Sequence, residues 1–255
     1  MKRIRLSELE IRKALKERYS KIATSESDSC CGGSELVSIG DAAPAEALSV
    51  DAGCGSPLKL IEPGRGDVVL DLGSGGGIDV FRASALVGPS GRAIGVDATP
   101  EMVWRARETK SKYSPRYQNA EFRLGEIEHL PVESGSVDYV ISNCVINLVP
   151  DKLAVFRESN RVLRKGGTLA VADVTLQSEM TEEARADMDS WSACIAGALT
   201  DAEYRKKLRQ AGFVGIKIEH VSDSNIGRYP FRYYSSHIKA RKAGDRVPSE
   251  SHRSL

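Results

Sequence analysis

One stretch, residues 68–79, constrains the fold of this chain more than any other part of it. The stretch begins as a short apolar run, breaks into glycines from Gly73 onward, and continues with apolar residues at the spacing of one helix face. A strand, a tight turn and a helix in this order form the first unit of a doubly wound sheet. Glycines let the backbone turn sharply and let a ligand approach the main-chain N–H groups at the start of the helix. The sequence therefore predicts a doubly wound α/β fold with a ligand site at this turn.

The residues of the turn favour one class of ligand. The glycines are spaced as Gly73-x-Gly75-x-Gly77, whereas a dinucleotide-binding turn would carry its third glycine at the position of Ile78. Asp71, just before the turn, would repel a pyrophosphate but would attract a cationic amino acid group. S-adenosylmethionine has an ammonium, a sulfonium and no phosphate, so the turn favours this ligand over a dinucleotide. The alternative is a glycine-rich turn of an ordinary α/β protein that binds neither.

Length and charge exclude several classes of protein. The chain has 255 residues and a formal net charge of +1. This length fits one α/β domain with appendages, and the charge gives no electrostatic footprint for nucleic acid. Residues 1–23 are charged throughout, unlike a signal peptide, and no apolar run approaches the roughly 18 residues needed to span a membrane. We therefore expect a cytoplasmic protein with neither a nucleic-acid nor a membrane partner.

The cysteines favour thiol chemistry over a disulfide framework. Their number, five, is odd, and no pair has the Cys-x-x-Cys spacing of a zinc ribbon. In a cytoplasmic protein the thiols are expected to be reduced. They are Cys30, Cys31, Cys54, Cys144 and Cys194.

The sequence patterns divide the chain into three parts. Residues 1–59 contain a predicted amphipathic helix over 4–22, which either packs on the domain or forms a lid over the site, and a cysteine-bearing segment that we expect to be mobile. Residues 60–240 form the sheet domain, in which 175–199 interrupt the strand–helix alternation as a helical insert. Residues 241–255 are polar and are expected to form a disordered tail.

Turn and capping signals place the remaining elements of the sheet domain. Thr99-Pro100 begins one helix, and Pro150-Asp151 begins another that is predicted to end at Lys165-Gly166-Gly167. Thr200 and Glu203 have the spacing of a capping box for a third helix. Strands after the first are predicted at 93–96, 121–124, 137–142, 168–174, 213–220 and 231–238.

Polar residues follow the predicted strands where ligands bind in doubly wound sheets. Asp97 ends the second strand, 26 positions beyond Asp71, which is about the spacing at which an acid meets ribose hydroxyls. An ordinary turn or cap aspartate is the alternative for Asp97. Glu126 and Ile127 follow the third strand, and Asn143 follows the fourth. These positions predict a ligand site that extends along one edge of the sheet.

Taken together, these features resemble the class I S-adenosylmethionine-dependent methyltransferases over roughly residues 60 to 220. The resemblance implies a Rossmann-like sheet that is mostly parallel and has an antiparallel edge strand. It also implies that Glu126 meets the adenine amine, that the backbone of Ile127 flanks the adenine ring, and that Asp97 holds the ribose. The donor-binding residues that it implies are Asp71, Gly73, Ser74, Gly75, Gly77, Asp97, Ala98, Glu126, Ile127 and Asn143.

A narrower resemblance rests on four segments in the same order as in arsenite S-adenosylmethyltransferases. The segments are the Cys30-Cys31 pair, Gly53-Cys54-Gly55, residues 142–152 and residues 194–199. In that family three cysteines hold trivalent arsenic, and the resemblance assigns this role to Cys54, Cys144 and Cys194. The same resemblance leaves Cys30 and Cys31 as thiols that capture arsenite, or as incidental surface thiols.

This chain departs from the family in two places. The family often has an aromatic pair before the Gly-Cys-Gly, where Asp51 and Ala52 stand here. Many members also carry a long cysteine-bearing C-terminal extension that this sequence lacks. From sequence alone, Cys144 could also be a small core residue and Cys194 could serve helix packing.

The chemistry of arsenic agrees with this assignment. Trivalent arsenic is soft and prefers thiolate ligands. Its lone pair can attack the sulfonium methyl without loss of a proton, so the reaction needs no general base, and catalysis is mostly a matter of positioning. The resemblance thus predicts an arsenite methyltransferase that uses S-adenosylmethionine and a thiol reductant such as glutathione or thioredoxin. The alternatives are a methyltransferase of a small organic substrate and a non-catalytic sensor of metalloid or S-adenosylmethionine.

Overall fold

A computed structural model describes residues 7–24, 43–44, 47, 55–181, 185, 194–224 and 232–244 of the 255. Cys30, Cys31 and Cys54 lie outside the described residues. So do residues 182–184 and 186–193 of the predicted helical insert and the tail from residue 245. The helices are α1 (Glu8–Thr24), α2 (Ile78–Val87), α3 (Pro100–Lys112), α4 (Lys152–Val162) and α5 (Asp201–Gln210). The strands are β1 (Val68–Leu72), β2 (Arg92–Asp97), β3 (Ala120–Leu124), β4 (Val137–Asn143), β5 (Leu163–Leu176), β6 (Leu199–Thr200), β7 (Phe213–Ser224) and β8 (Tyr233–Lys242).

The strands form one mixed sheet in the order β3-β2-β1-β4-β5-β8-β7, and β6 pairs with β5. Strand β1 lies at the centre and pairs in parallel with both β2 and β4, so Leu70 stands beside Ile94 and Val140. Strand β8 is antiparallel to both β5 and β7. The doubly wound α/β class predicted from the sequence is therefore confirmed. The antiparallel strand β8 is not the predicted edge strand but lies one place inside the edge. It inserts between β5 and β7, and β7 forms the edge.

Both faces of the sheet are covered, as expected for parallel strands. On one face, Leu70 and Leu72 belong to a core with Phe156 of α4 and Tyr204 of α5. On the other face, residues such as Val69 belong to a core with Phe81, Val103 and Phe122. Since β1 is buried on both sides, its carboxyl end is held rigidly where the glycine turn begins.

The predicted helix end at Lys165-Gly166-Gly167 is wrong. Helix α4 ends at Val162 and the chain passes directly into β5, so these residues lie inside the strand. The β4–β5 register shifts there from the pair Val137–Leu163 to the pair Tyr139–Thr168. A Cβ at Gly167 would come within 2.9 Å of two main-chain oxygens. These glycines therefore serve close strand packing and not helix termination.

Other sequence-based boundaries hold more closely. The capping box of α5 is present, because the side chains and backbones of Thr200 and Glu203 bond reciprocally. Thr99 is the N-cap residue of α3, although its side chain makes no cap hydrogen bond. Strand β8 continues to Lys242 and takes in the first two residues of the expected tail. Within the described part of the chain, every helix is too short or too polar to traverse a bilayer.

Candidate active site

A cavity of about 500 Å³ opens at the carboxyl ends of β1, β2 and β4, with α1 above it. This is where the sheet order reverses direction, the usual ligand position in doubly wound sheets. All of the predicted donor-binding residues except Gly77 line this cavity. They are Asp71, Gly73, Ser74, Gly75, Asp97, Ala98, Glu126, Ile127 and Asn143. The sequence thus located much of the cavity wall.

The three glycines of the turn have different structural roles. All three have positive φ, at +65° for Gly73, +50° for Gly75 and +90° for Gly77. A Cβ at Gly77 would lie 2.6 Å from the ring of Phe122, and a Cβ at Gly73 would lie 2.4 Å from Val145. A Cβ at Gly75 would meet nothing within 4 Å. Gly77 and Gly73 therefore allow close packing, while Gly75 leaves the cavity open to a ligand.

Asp97 fastens the turn to the end of β2. Its Oδ2 accepts a hydrogen bond from the Gly75 N–H at 2.9 Å, and its Oδ1 accepts one from the Thr99 N–H at 2.8 Å. Burial raises the pKa of the Asp97 carboxyl, and these two main-chain donors oppose that rise. Asp97 therefore holds the turn, as the alternative of a turn or cap aspartate requires, and it also lines the cavity. Its role towards a ribose stays a prediction.

The cavity has a strongly acidic floor. Besides Asp71 and Asp97, the buried Asp79 lines it, with an ion pair to Arg82 at 3.3 Å. Sequence reasoning missed Asp79, which stands in the first turn of α2, where its position on a helix that starts at the ligand edge could have indicated it. This excess of carboxylates suits a cationic ligand and disfavours a phosphate.

Glu128 is a second cavity residue that the sequence did not indicate. It stands two positions after Glu126, but its side chain is 4% exposed whereas that of Glu126 is 56% exposed. The Oε2 of Glu128 is buried and lacks a hydrogen-bond partner among the described residues. Its partner in an ion pair is Arg12 of α1. Glu128 is thus a buried carboxylate beside the cavity, paired with Arg12 and with one oxygen that has no partner among the described residues.

Cys144 lines the cavity, whereas Cys194 is not among its lining residues but lies directly against Cys144. The Cys194 Sγ donates a hydrogen bond to the Cys144 carbonyl oxygen at 3.0 Å, although the residues are 50 positions apart. Both are 4% exposed and pack with Leu148. Among the described residues, they are the only residues other than glycine that have a positive φ, which is 56° at Cys144 and 61° at Cys194. Such a backbone costs on the order of 1–3 kcal/mol per residue and often marks a functional site.

The two cysteines differ in redox state. Cys194 carries a thiol, whereas Cys144 is disulfide-bonded. The expectation that all thiols are reduced is therefore wrong at Cys144. The physical reason is that folding brings a second cysteine within bonding distance, which a cysteine count cannot reveal.

The segment that contains Cys54 reaches the same place through its neighbour Gly55. The Asn143 Nδ2 donates a hydrogen bond to the Gly55 carbonyl at 2.7 Å. A Cβ at Gly55 would lie 3.1 Å from that of Ala172 and 3.4 Å from the His237 imidazole. The residue after Cys54 is thus fixed beside the residue before Cys144.

Helix α1 forms the roof of the cavity. Leu15 and Tyr19 of this helix pack against the Cys144–Cys194 pair, and Ile11 packs against Ala196. The N-terminal helix packs on the domain, as one interpretation required, and its residues also line the cavity, whereas its role as a lid stays a prediction. These roof residues could not be recognised from sequence, because nothing local indicates which face of α1 meets the sheet edge.

Comparisons with known proteins agree with this geometry. Residues 63–212 match the family model of a methyltransferase domain. An arsenite methyltransferase of Halobacterium salinarum is 42% identical over 91% of this chain and 67% of its own length. An arsenite methyltransferase of Aquipseudomonas alcaligenes is 35% identical over 82% of this chain and 63% of its own length. The crystal structure of CrArsM, an arsenic(III) S-adenosylmethionine methyltransferase from Chlamydomonas reinhardtii, covers 80% of this chain and 72% of its own, with a TM-score of 0.67 and 33% identity.

The sheet order, the glycine turn and the acidic cavity define the class of protein, an S-adenosylmethionine-dependent methyltransferase. The chain spans about two thirds of the length of the two curated relatives given above. Within the class, it belongs to the arsenite methyltransferase family. The family resemblance, the Rossmann-like fold and S-adenosylmethionine as the methyl donor are thereby confirmed.

Proposed function

We propose that this protein transfers a methyl group from S-adenosylmethionine to trivalent arsenic that is held by Cys54, Cys144 and Cys194. The observation that carries the proposal is the contact between Cys144 and Cys194 at the end of the donor cavity. The two come from separate segments, and each has a left-handed backbone that is unfavourable for a residue with a side chain. Core packing alone would not require this strain at both positions.

The residues of the cavity fit the donor. The acidic floor would hold its ammonium and sulfonium groups, Asp97 its ribose, and Glu126 with Ile127 its adenine. The volume of about 500 Å³ falls within the usual range of small-molecule sites, and the open side of Gly75 lets a ligand approach the main chain. When bound, S-adenosylmethionine supplies an electrophilic methyl group on its sulfonium.

The thiol end of the cavity fits the acceptor. Thiolates are the ligands that soft arsenic(III) prefers, and three of them leave its lone pair on the side away from the sulfurs. No histidine lines the cavity among the described residues. This agrees with the proposal, because arsenic carries no proton for a base to remove. The chain would then act by alignment and by exclusion of water beneath α1.

Gly55 supports the assignment of Cys54 as the third ligand. The Asn143 side chain donates to the Gly55 carbonyl, so the residue that follows Cys54 in the sequence lies beside the residue that precedes Cys144. Cys30 and Cys31 would capture arsenite from its thiol complex and pass it to the three ligands. A capture pair contributes uniform binding, so the Cys30→Ser/Cys31→Ser double variant should raise the KM for arsenite and preserve kcat. A lower kcat at saturating arsenite would instead place one of these thiols in the reacting complex.

We also propose a thiol reductant as co-substrate. Arsenic binds thiolates, so the disulfide of Cys144 must first open. Two reductant thiols give up two electrons and two protons to the disulfide, which yields two cysteine thiols and one oxidised reductant disulfide. Glutathione or a thioredoxin would supply these thiols.

One incubation tests the proposed function. The purified protein is incubated with arsenite, glutathione and S-adenosylmethionine labelled at its methyl carbon, and methylated arsenic is separated chromatographically. Labelled methylarsenic species are expected with the wild-type protein and not with the Cys194→Ser variant. Binding of both ligands without turnover would instead identify a sensor. Methylation of a small organic compound by a variant that lacks the cysteines would identify the other methyltransferase class.

A further inference from the structure

Helix α1 covers one side of the donor cavity, and six of its residues line the cavity. Leu15 and Tyr19 contact the cysteine end, and Arg12 reaches the opposite end, where Glu126 and Glu128 line the cavity. A helix that contacts the residues around a cavity is positioned to hold a bound ligand in place. The question is which contacts hold the roof and which of them a donor can exchange.

The C-terminal half of α1 is attached to α3. The Ser20 hydroxyl donates to a Glu101 carboxylate oxygen at 3.0 Å, and the Arg105 guanidinium donates to the Ala23 carbonyl at 2.9 Å. Ile22 and Ala23 are buried in a cluster with Met102. These contacts do not involve the acidic residues of the cavity, although Met102 also lines it.

The N-terminal half of α1 is held by one ion-pair network at the adenine end. The Arg12 Nη1 donates to Glu126 at 3.3 Å, and its Nη2 donates to the buried Glu128. Apart from these bonds, the described residues of this half make only apolar contacts with the domain, through side chains such as Ile11 and Leu15. Because Glu126 is the more exposed of the two acids, it is the partner that a ligand can take over.

We propose that Arg12 is the positioning residue that closes α1 over the bound donor. Its pair with Glu128 anchors the helix, while Glu126 exchanges the Arg12 guanidinium for the exocyclic amine of adenine. The released Arg12 donors stay with Glu128, whose second oxygen has no partner among the described residues in the structure. The inference rests on the donor site of the proposed function and is independent of its arsenic chemistry.

Two measurements without arsenite test this role. Stopped-flow displacement gives the dissociation rate of S-adenosylmethionine, and hydrogen–deuterium exchange gives the protection of the α1 amides with and without the donor. Arg12→Gln is expected to speed donor dissociation at least about tenfold and to abolish the donor-dependent protection of residues 8–16. Lys21→Gln, which removes an exposed cation from the same helix, is expected to match the wild-type protein in both.

Further variants distinguish the proposed positioning role of Arg12 from simple stabilisation of helix α1. Arg12→Lys should restore part of the slow dissociation, and Arg12→Gln/Glu128→Gln should dissociate no faster than Arg12→Gln, because the two residues act as one pair. Should Glu128→Gln fail to fold, Arg12→Gln alone decides, since Arg12 is 37% exposed. Faster exchange in α1 with an unchanged donor dissociation rate would overturn the proposal and leave Arg12 a structural residue. Loss of donor binding in both Arg12→Gln and Lys21→Gln would also contradict it.

Discussion

On the donor side of the cavity, the lining residues come from the ends of β1 and β2 and from the turn between β1 and α2. Main-chain hydrogen bonds fix them, such as that from the Gly75 N–H to Asp97. On the thiol side, Cys144 and Cys194 lie 50 positions apart and meet only because β4, β5 and the chain before β6 converge. Each then holds a left-handed backbone. Donor residues can therefore be recognised from a short stretch of sequence, whereas the thiol residues are assembled by the tertiary fold.

The largest expected effect separates the two sides. Cys144→Ser and Cys194→Ser should each lower the rate of arsenite methylation more than about 100-fold, because a hydroxyl is a poor ligand for a soft ion. The Kd for S-adenosylmethionine, measured by calorimetry, should stay within about twofold of the wild-type value. Equal methylation rates in either variant would remove that cysteine from the ligand set. A parallel loss of donor affinity would show that the two sides are not separate.

The second prediction concerns a substitution on the donor side, which should weaken donor binding. Asp97→Asn removes a charged acceptor from the cavity, and hydrogen bonds to charged groups contribute about 1.5–3 kcal/mol, so the donor Kd should rise roughly 10- to 150-fold. The donor Kd is measured by calorimetry. The control is Glu133→Gln, because Glu133 is an exposed acid away from the cavity. Because Asp97 also accepts from Gly75 and Thr99, the melting temperature must be recorded beside the affinity. Unchanged affinity in the folded variant would refute the ribose assignment.

Two glycine substitutions distinguish a packing role from a ligand-binding role within the glycine turn. Gly77→Ala places a methyl group 2.6 Å from the Phe122 ring at a φ of +90°, so it should destabilise the protein by about 2–4 kcal/mol. Gly75→Ala meets nothing within 4 Å and should cost only the roughly 1–2 kcal/mol of a left-handed alanine. Its main effect should be weaker donor binding, since the added methyl group stands at the cavity. Chemical denaturation and calorimetry measure the two effects, and a similar loss of stability in both variants would contradict the distinction.

The smallest expected effect concerns the buried charges behind the thiol side. Burial raises the pKa of Asp173 to about 7, and burial lowers the pKa of Lys152 to about 8. The folded state holds the Asp173 proton more tightly than the unfolded state. The contribution of this proton to the free energy of unfolding is therefore fully present below about pH 4. It is lost as the pH rises to about 7. The Lys152 contribution has the opposite sign, since it penalises the folded state as the pH falls from about 10.5 to 8.

Asp173→Asn isolates the carboxylate part of this dependence. The melting temperature of the wild-type protein relative to that of the variant should fall as the pH rises from 5 to 7.5, because only the wild-type protein carries this carboxyl. Thermal scans of both proteins across this range provide the measurement. The same difference at every pH would mean that Asp173 does not titrate in the folded protein over this window.

The sequence by itself determined the class of the sheet, the position of the glycine turn and nearly all of the donor wall. These features are local, because a strand, its turn and the next helix leave a pattern within a few residues. The capping box at Thr200 and Glu203 could be predicted for the same reason. Even on this side the pattern had limits, since Gly77 fits the motif but faces Phe122 rather than the cavity.

The tertiary structure alone decided what closes the site and what lies behind it. Nothing in α1 indicates that Arg12 will meet the buried Glu128, or that Tyr19 will cover the cysteines, because these contacts join segments more than a hundred residues apart. The extension of β5 through Gly166 and Gly167 likewise depends on its pairing with β4. Long-range contacts of this kind depend on which surfaces the sheet brings together, and a single chain carries no periodic signal for them. For the same reason the sequence could name the cysteines, but only the fold brought Cys144 and Cys194 into contact.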